Sequence, residues 1–168
     1  MGRRIAMVLA LATAAAAATA RASSSDALSL EGSWIMEAAY EVDPDGTRRT
    51  NYGPRPAGLL TVDAAGRYSL QIFKVDRPPF ASGDKARGTP DEYRQAVVGS
   101  STHFGTVRID RAKRQLVFDV KAASFPNWEG KRQVRDYTYR KGLLSYAVPS
   151  SASSSGIVAH SVWRRASR

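Results

Sequence analysis

Apolar and polar residues alternate with a period of two in one short segment after another, and turn residues separate the segments. This restricts the chain to antiparallel sheet with one buried face. In the first segment Trp34, Met36, Ala38, Tyr40 and Val42 share a face, with Ser33, Glu37 and Glu41 opposite. Gly32 removes a side chain where the backbone turns in closely, which lets the Trp34 indole fold over the end of whatever the strand encloses. Asp43-Pro44-Asp45-Gly46 then reverses the chain.

The remaining segments repeat this logic. Residues 58–62 form a short apolar strand, and Asp63-Ala64-Ala65-Gly66 is a hairpin turn. On the return strand Tyr68, Leu70 and Ile72 alternate with Arg67, Ser69 and Gln71. His103, Gly105, Val107 and Ile109 share the next face, followed by Leu116, Phe118, Val120 and Ala122. Then come Gln133, Arg135, Tyr137 and Tyr139, and after a turn Leu144, Tyr146 and Val148; residues 157–165 are the last strand. Residues 77–84 read as a loop across an opening, and residues 125–130 as a loop rich in aromatics. One helix interrupts the series. Thr89-Pro90-Asp91-Glu92 has the form of a capping box, the helix ends near Ser101, and Tyr93, Ala96 and Val97 make a stripe suited to plugging one end of the sheet. A meander of about eight such strands avoids exposed edges by closing on itself. The expected fold class is therefore all-β, an up-and-down antiparallel barrel with one short inserted helix. Its interior holds either its own side chains or one small ligand.

The 168 residues suit one domain behind a leader. Gly2-Arg3-Arg4 supplies a positive start, residues 5–18 an apolar run too short to span a bilayer, and Ala18-Thr19-Ala20 or Ala20-Arg21-Ala22 a cleavage site. Residues 1–22 are thus expected to be a secretory signal peptide. Residues 23–168 would form the domain, periplasmic or extracellular, with no integral membrane segment left after signal removal. Residues 23–28 read as a polar tether. The chain has no Cys, which excludes disulfides, thiol chemistry and a lipid-bearing Cys. Its net charge of +10 falls to +7 without Arg3, Arg4 and Arg21, and the surplus is scattered over Arg-rich loops. A charge so diffuse fits solubility or loose association with anionic envelopes better than a nucleic-acid groove, so no nucleic-acid partner is expected.

Certain strings recur in a specific order: Leu30-x-Gly-x-Trp34, Asp45-Gly46-Thr47-Arg48-Arg49, Tyr52-Gly53-Pro54, Gly66-Arg67-Tyr68-Ser69, Phe80-Ala81-Ser82-Gly83-Asp84, Phe104-Gly105, Phe125-Pro126-Asn127-Trp128-Glu129-Gly130 and Trp163. In these, over nearly the whole of residues 23–168, the chain resembles the bacterial and fungal lipocalin-like domain family. The resemblance implies a lipocalin-type barrel with an internal cavity and mostly no assigned activity, although relatives beside biosynthetic genes leave an isomerase or cyclase role open. It also implies that Trp34 stacks with Arg164 or Arg165 to seal the closed end, a structural role.

The inward faces, with the aromatic loop, nominate a ligand-binding set: Tyr68, Leu70, Ile72, His103, Phe118, Trp128, Arg135 and Tyr137. His103 is either an acid/base or ligand contact or a hydrogen-bonded core histidine, and His160, on a face with Val158 and Val162, is open to the same two readings. Trp128 is either a lip of the pocket or the anchor of its loop. Arg135 is the most informative charge, because a buried guanidinium needs an anion or several acceptors, and alternation turns Asp119 and Asp136 outward. A fixed cation among hydroxyl donors in an apolar space suits a molecule with an apolar body and one acidic or carbonyl end. Two His without Cys or a carboxylate cluster make no metal site. With no nucleophile elbow, phosphate loop or dinucleotide fingerprint, no cofactor is expected. The expected function is binding of a small hydrophobic or amphipathic molecule in the cavity. The alternatives are an isomerase or cyclase acting on such a molecule there, with catalysis left open, and a filled barrel serving as an interaction module.

Overall fold

The computed structural model describes residues 27–148 and 156–167. The expected signal peptide lies outside the described residues. Among them nine strands run in chain order: β1 (Gly32–Val42), β2 (Arg48–Arg49), β3 (Ala57–Val62), β4 (Arg67–Phe73), β5 (Ser100–Asp110), β6 (Gln115–Ala123), β7 (Arg132–Arg140), β8 (Leu143–Val148) and β9 (Val158–Arg165). The helix α1 (Pro90–Val98) lies between β4 and β5. From β3 to β9 each strand pairs antiparallel with the next, and β1 pairs with both β3 and β9, which closes an eight-stranded barrel. The two-residue β2 adds only to the far end of β1, where Glu41 faces Arg49 and Val42 faces Arg48.

The core fills the end of the barrel where β1 begins and β9 finishes. Trp34, Leu60, Leu116, Leu144 and Trp163 are completely buried there. The Trp34 indole Nε1 donates to the Leu30 carbonyl at 2.8 Å. The Arg165 guanidinium lies 4.5 Å from the center of the indole ring and donates to the backbone carbonyls of Ser29 and Glu31. Leu28, expected in a polar tether, is instead buried with Leu30 in this core, and Arg111 Nη2 holds the Leu28 carbonyl at 2.9 Å. A chain that passes under a barrel end meets apolar ends of strands, so its leucines go inward.

Two bulges re-aim the walls. In β1 the register shifts between Met36, opposite Trp163, and Ala38, opposite Val162. One extra residue reverses the parity of all that follows. Trp34 and Met36 face inward, but beyond the bulge it is Ala39, 5% exposed and paired with buried Ser161, that does so. Ala38, Tyr40 and Val42 therefore leave the Trp34 face, and Glu41 joins the inner one. Tyr40, turned to the rim, stacks on His160 at 4.8 Å beneath the Arg48 guanidinium at 3.5 Å. The second bulge lies in the β5–β6 pair, where Phe104 faces Ala122 but Gly105 faces Val120. Ala123 rather than Ala122 thereby stands opposite the inward His103. Gly105 is required at this close approach, since a Cβ there would sit 2.0 Å from the Asp119 carbonyl oxygen.

The helix has its capping box. Glu92 Oε2 accepts from the Thr89 amide at 2.6 Å, and the Glu92 amide donates to Thr89 Oγ1 at 3.3 Å. It ends at Val98 and plugs nothing: it buries no residue, and Tyr93 and Val97 are exposed. Its apolar side is used locally. Tyr93 packs edge-on against Phe80 and accepts from the Gly88 amide, which ties the preceding loop to the helix.

Candidate functional site

The inner side chains of β4 through β9 meet in a polar cluster at mid-barrel. Alternation along β4 brings Tyr68 inward, and its hydroxyl stands 2.7 Å from His103 Nδ1 on β5, two strands whose register sets Leu70 opposite His103. His103 Nε2 lies 3.4 Å from Arg135 Nη2 on β7, and the same guanidinium nitrogen donates to Gln133 Oε1 at 2.6 Å. Guanidinium can only donate, so the network assigns His103 as the tautomer protonated on Nδ1, with Nε2 accepting and Tyr68 Oη receiving the Nδ1 proton. Phe118 on β6 packs edge-on against Tyr68 and His103, and its face receives Arg135 at 4.2 Å. The Tyr146 ring on β8 lies 5.2 Å from the guanidinium.

Burial governs the acid–base character of these groups. It lowers His103 from its ordinary 6.5 to about 3, with repulsion from Arg135 adding to the effect, so the imidazole is neutral at physiological pH. Burial raises the Tyr68 hydroxyl, and Arg135 offsets this only in part. Burial also lowers Arg135, which remains a cation because guanidinium starts so high. The cluster near neutral pH is thus one fixed positive charge among neutral donors, with no group poised to exchange a proton.

Above the cluster, at the barrel end opposite Trp34, a cavity of about 190 Å³ opens. Ala39 and Glu41 of β1, Ile72 of β4, Ser101 of β5, Val148 of β8 and Ser161 of β9 wall it, together with Tyr52 and Asn51 of the β2–β3 loop and Trp128. Burial raises the Tyr52 hydroxyl, moderated by its bond to Ser101 and reinforced by the Glu41 charge. The Glu41 carboxylate accepts from Asn51 Nδ2. Trp128, in a 3₁₀ turn (Pro126–Trp128), meets His103 edge-on at 5.8 Å, so the cavity wall rests directly on the polar cluster. Larger depressions of about 500 and 550 Å³ lie on the outer face of β4, β5 and β6 around Phe104, open to solvent. They lack the walls on several sides that a small-molecule site uses.

The structure buries six of the eight sequence-nominated residues inside the barrel: Tyr68, Leu70, Ile72, His103, Phe118 and Arg135. Of the eight, Ile72 and Trp128 line the cavity; Tyr137 is partly buried against the core away from it. The sequence reading did not nominate Ala39, Glu41, Tyr52, Ser101 or Ser161 in the cavity, nor Gln133, Tyr146 and Trp163 in the interior. Gln133 and Tyr146 had a signal, since each shares an inward face with a named residue. Glu41 had none, because the β1 bulge reverses its side.

Asp119 and Asp136 point away from the interior, Asp119 paired with Arg132 at 2.7 Å and Asp136 accepting from Gln115 at 2.9 Å. His160 is half-buried against Tyr40 at the rim of the cavity, its pKa lowered by that burial and by Arg48. Arg164 pairs with Glu37 outside the barrel, which leaves Arg165 over Trp34. Among the described residues no three His, Asp or Glu side chains converge on a point that would hold a metal ion.

Residues 31–166 match the family model of the lipocalin-like domain. No curated protein matches the chain.

Proposed function

The chain belongs to the lipocalin-like domain family, and we propose that it is exported and holds one small, largely apolar molecule in the mouth of its barrel. The observation that carries this reading is the 190 Å³ cavity, walled by Ala39, Ile72, Trp128 and Val148, with the Tyr52, Ser101 and Ser161 hydroxyls inside and Glu41, Asn51 and His160 at its rim. Apolar walls with sparse polar groups are the usual makeup of a ligand site. The volume lies below the few hundred Å³ of an ordinary drug-sized site, so the ligand is compact. Export is supported by the charged start, the short apolar run and the small-residue site before residue 23.

Binding is favored over isomerase or cyclase chemistry by the same cluster that prompts the comparison. An acid–base pair works best with a pKa near the working pH, and burial moves His103 to about 3 and Tyr68 upward. Mass spectrometry of small molecules released from protein purified from its native source tests the reading. A compact molecule is expected with the wild type and missing from an Ala39→Phe variant whose mouth is filled. Release of a substrate and product pair would favor the enzyme; equal recovery from both proteins would reject the cavity as the site.

A further inference from the structure

Four buried side-chain atoms lack a well-formed hydrogen bond among the described residues: Arg135 Nε, Gln133 Nε2, Trp163 Nε1 and Tyr146 Oη. Three are N–H groups that can only donate, and the fourth carries an O–H. They are neighbors. Gln133 is bonded to Arg135, and the Tyr146 hydroxyl stands among Arg135, Trp163 and Ser161, which counter the rise that burial imposes on it. The Tyr146 oxygen is the one acceptor among them, and both Arg135 and Trp163 converge on it, so the N–H groups outnumber their acceptors and call for another.

Charge points the same way. Arg135 is 2% exposed, and around it are a neutral amide, a neutral imidazole and two aromatic faces. The carboxylates of the adjacent strands, Asp119 and Asp136, are engaged on the outside. A lone buried cation is strongly unfavorable, and an anion brought to it relieves that cost.

We propose that the molecule held by the barrel bears a carboxylate, directed inward against Arg135, with Gln133 and Tyr146 as the surrounding donors. This rests on the reading that the barrel binds a ligand. Ser161 links the two places, since it lines the cavity and is paired in register with Tyr146. Glu41 fixes the direction: a negative group at the rim and a positive one beneath the floor orient a monoanion with its charge inward and its apolar body among Ile72, Val148 and Trp128.

Calorimetry at pH 7.5 with hexanoate and benzoate against their methyl esters, in wild type and Arg135→Met, tests this. The wild type is expected to bind each acid at least about tenfold more tightly than its ester, and the variant to bind both alike. Ligand-free Arg135→Met should melt at a higher temperature than wild type, because it loses a charge without a counter-charge. Equal binding of acid and ester by wild type overturns the carboxylate and leaves the binding reading standing, whereas no binding of any of the four overturns both. A variant that melts lower, or fails to fold, assigns Arg135 a structural role and overturns the proposal. So does stabilization of wild type by chloride or phosphate alone to the extent seen with the acids.

Discussion

Replacing Trp34 with alanine removes one of the two fully buried tryptophans at the closed end of the barrel, and its cost can be built from the contacts. The indole is fully buried, and truncating a buried Trp costs about 3–5 kcal/mol in lost burial and residual cavity. Its N–H bond to the Leu30 carbonyl adds about 1 kcal/mol, because Leu30 is itself buried and that acceptor loses its partner. The Arg165 guanidinium over the ring contributes about 0.5–1 kcal/mol. These terms overlap, so the expected loss is about 5 kcal/mol. That is comparable to the whole stability of a marginal domain. Trp34→Phe keeps a ring under Arg165 and loses the N–H bond and part of the area, for an expected loss of about 2 kcal/mol. Urea unfolding followed by far-ultraviolet circular dichroism measures both without relying on the fluorescence of the deleted residue. A loss below about 1 kcal/mol for the alanine variant, or equal losses for the two, would refute the account of Trp34 as the center of the closed end.

His103 should make stability depend on pH. Its folded-state value of about 3 lies below its ordinary 6.5, so the unfolded chain takes up the proton first. The contribution is complete above pH 6.5 and is lost as pH falls toward 3, at roughly 1.4 kcal/mol per unit. Wild type should therefore lose about 2.5 kcal/mol more than His103→Gln between pH 6.5 and 4.5, and parallel denaturation curves would contradict the buried neutral imidazole. Gly105→Ala should cost about 2–3 kcal/mol, because the new methyl must displace the Asp119 carbonyl; an unchanged urea midpoint would show the approach to be looser than described. Amino-terminal sequencing of protein from the native envelope fraction should read from Arg21 or Ser23, and a retained Met1 in the cytoplasm would remove the export proposal.

The barrel was legible because alternation survives in most walls. Tyr68, Leu70 and Ile72 alternate without a break along β4, and all three are buried. The same alternation puts His103 and Arg135 on inward faces, and both are buried. Bulges are where the reading departs from the structure. Nothing in Glu37-Ala38-Ala39 announces the extra residue of β1, since two alanines fit either face, and so Tyr40 and Glu41 exchanged sides. Gly105 did carry a signal, as a glycine inside a strand marks a close approach or a bulge. The helix stripe misled for another reason: Tyr93 and Val97 have the right spacing to be buried, but spacing does not say whether a partner surface exists. The donor cluster was hidden because Gln133, Tyr146 and Trp163 look ordinary singly, and only packing shows that their polar groups meet around Arg135.

The central claim is that a small molecule binds in the barrel mouth. Titrating the isotope-labeled protein with benzoate and following its amide and indole resonances tests this most directly. The account predicts shifts at Ala39, Tyr52, Ser101, Val148 and Ser161 and at the Trp128 indole, saturating together. Shifts running instead along Ser69, Gln71 and Phe104 on the outer face, or none at the mouth, would contradict it.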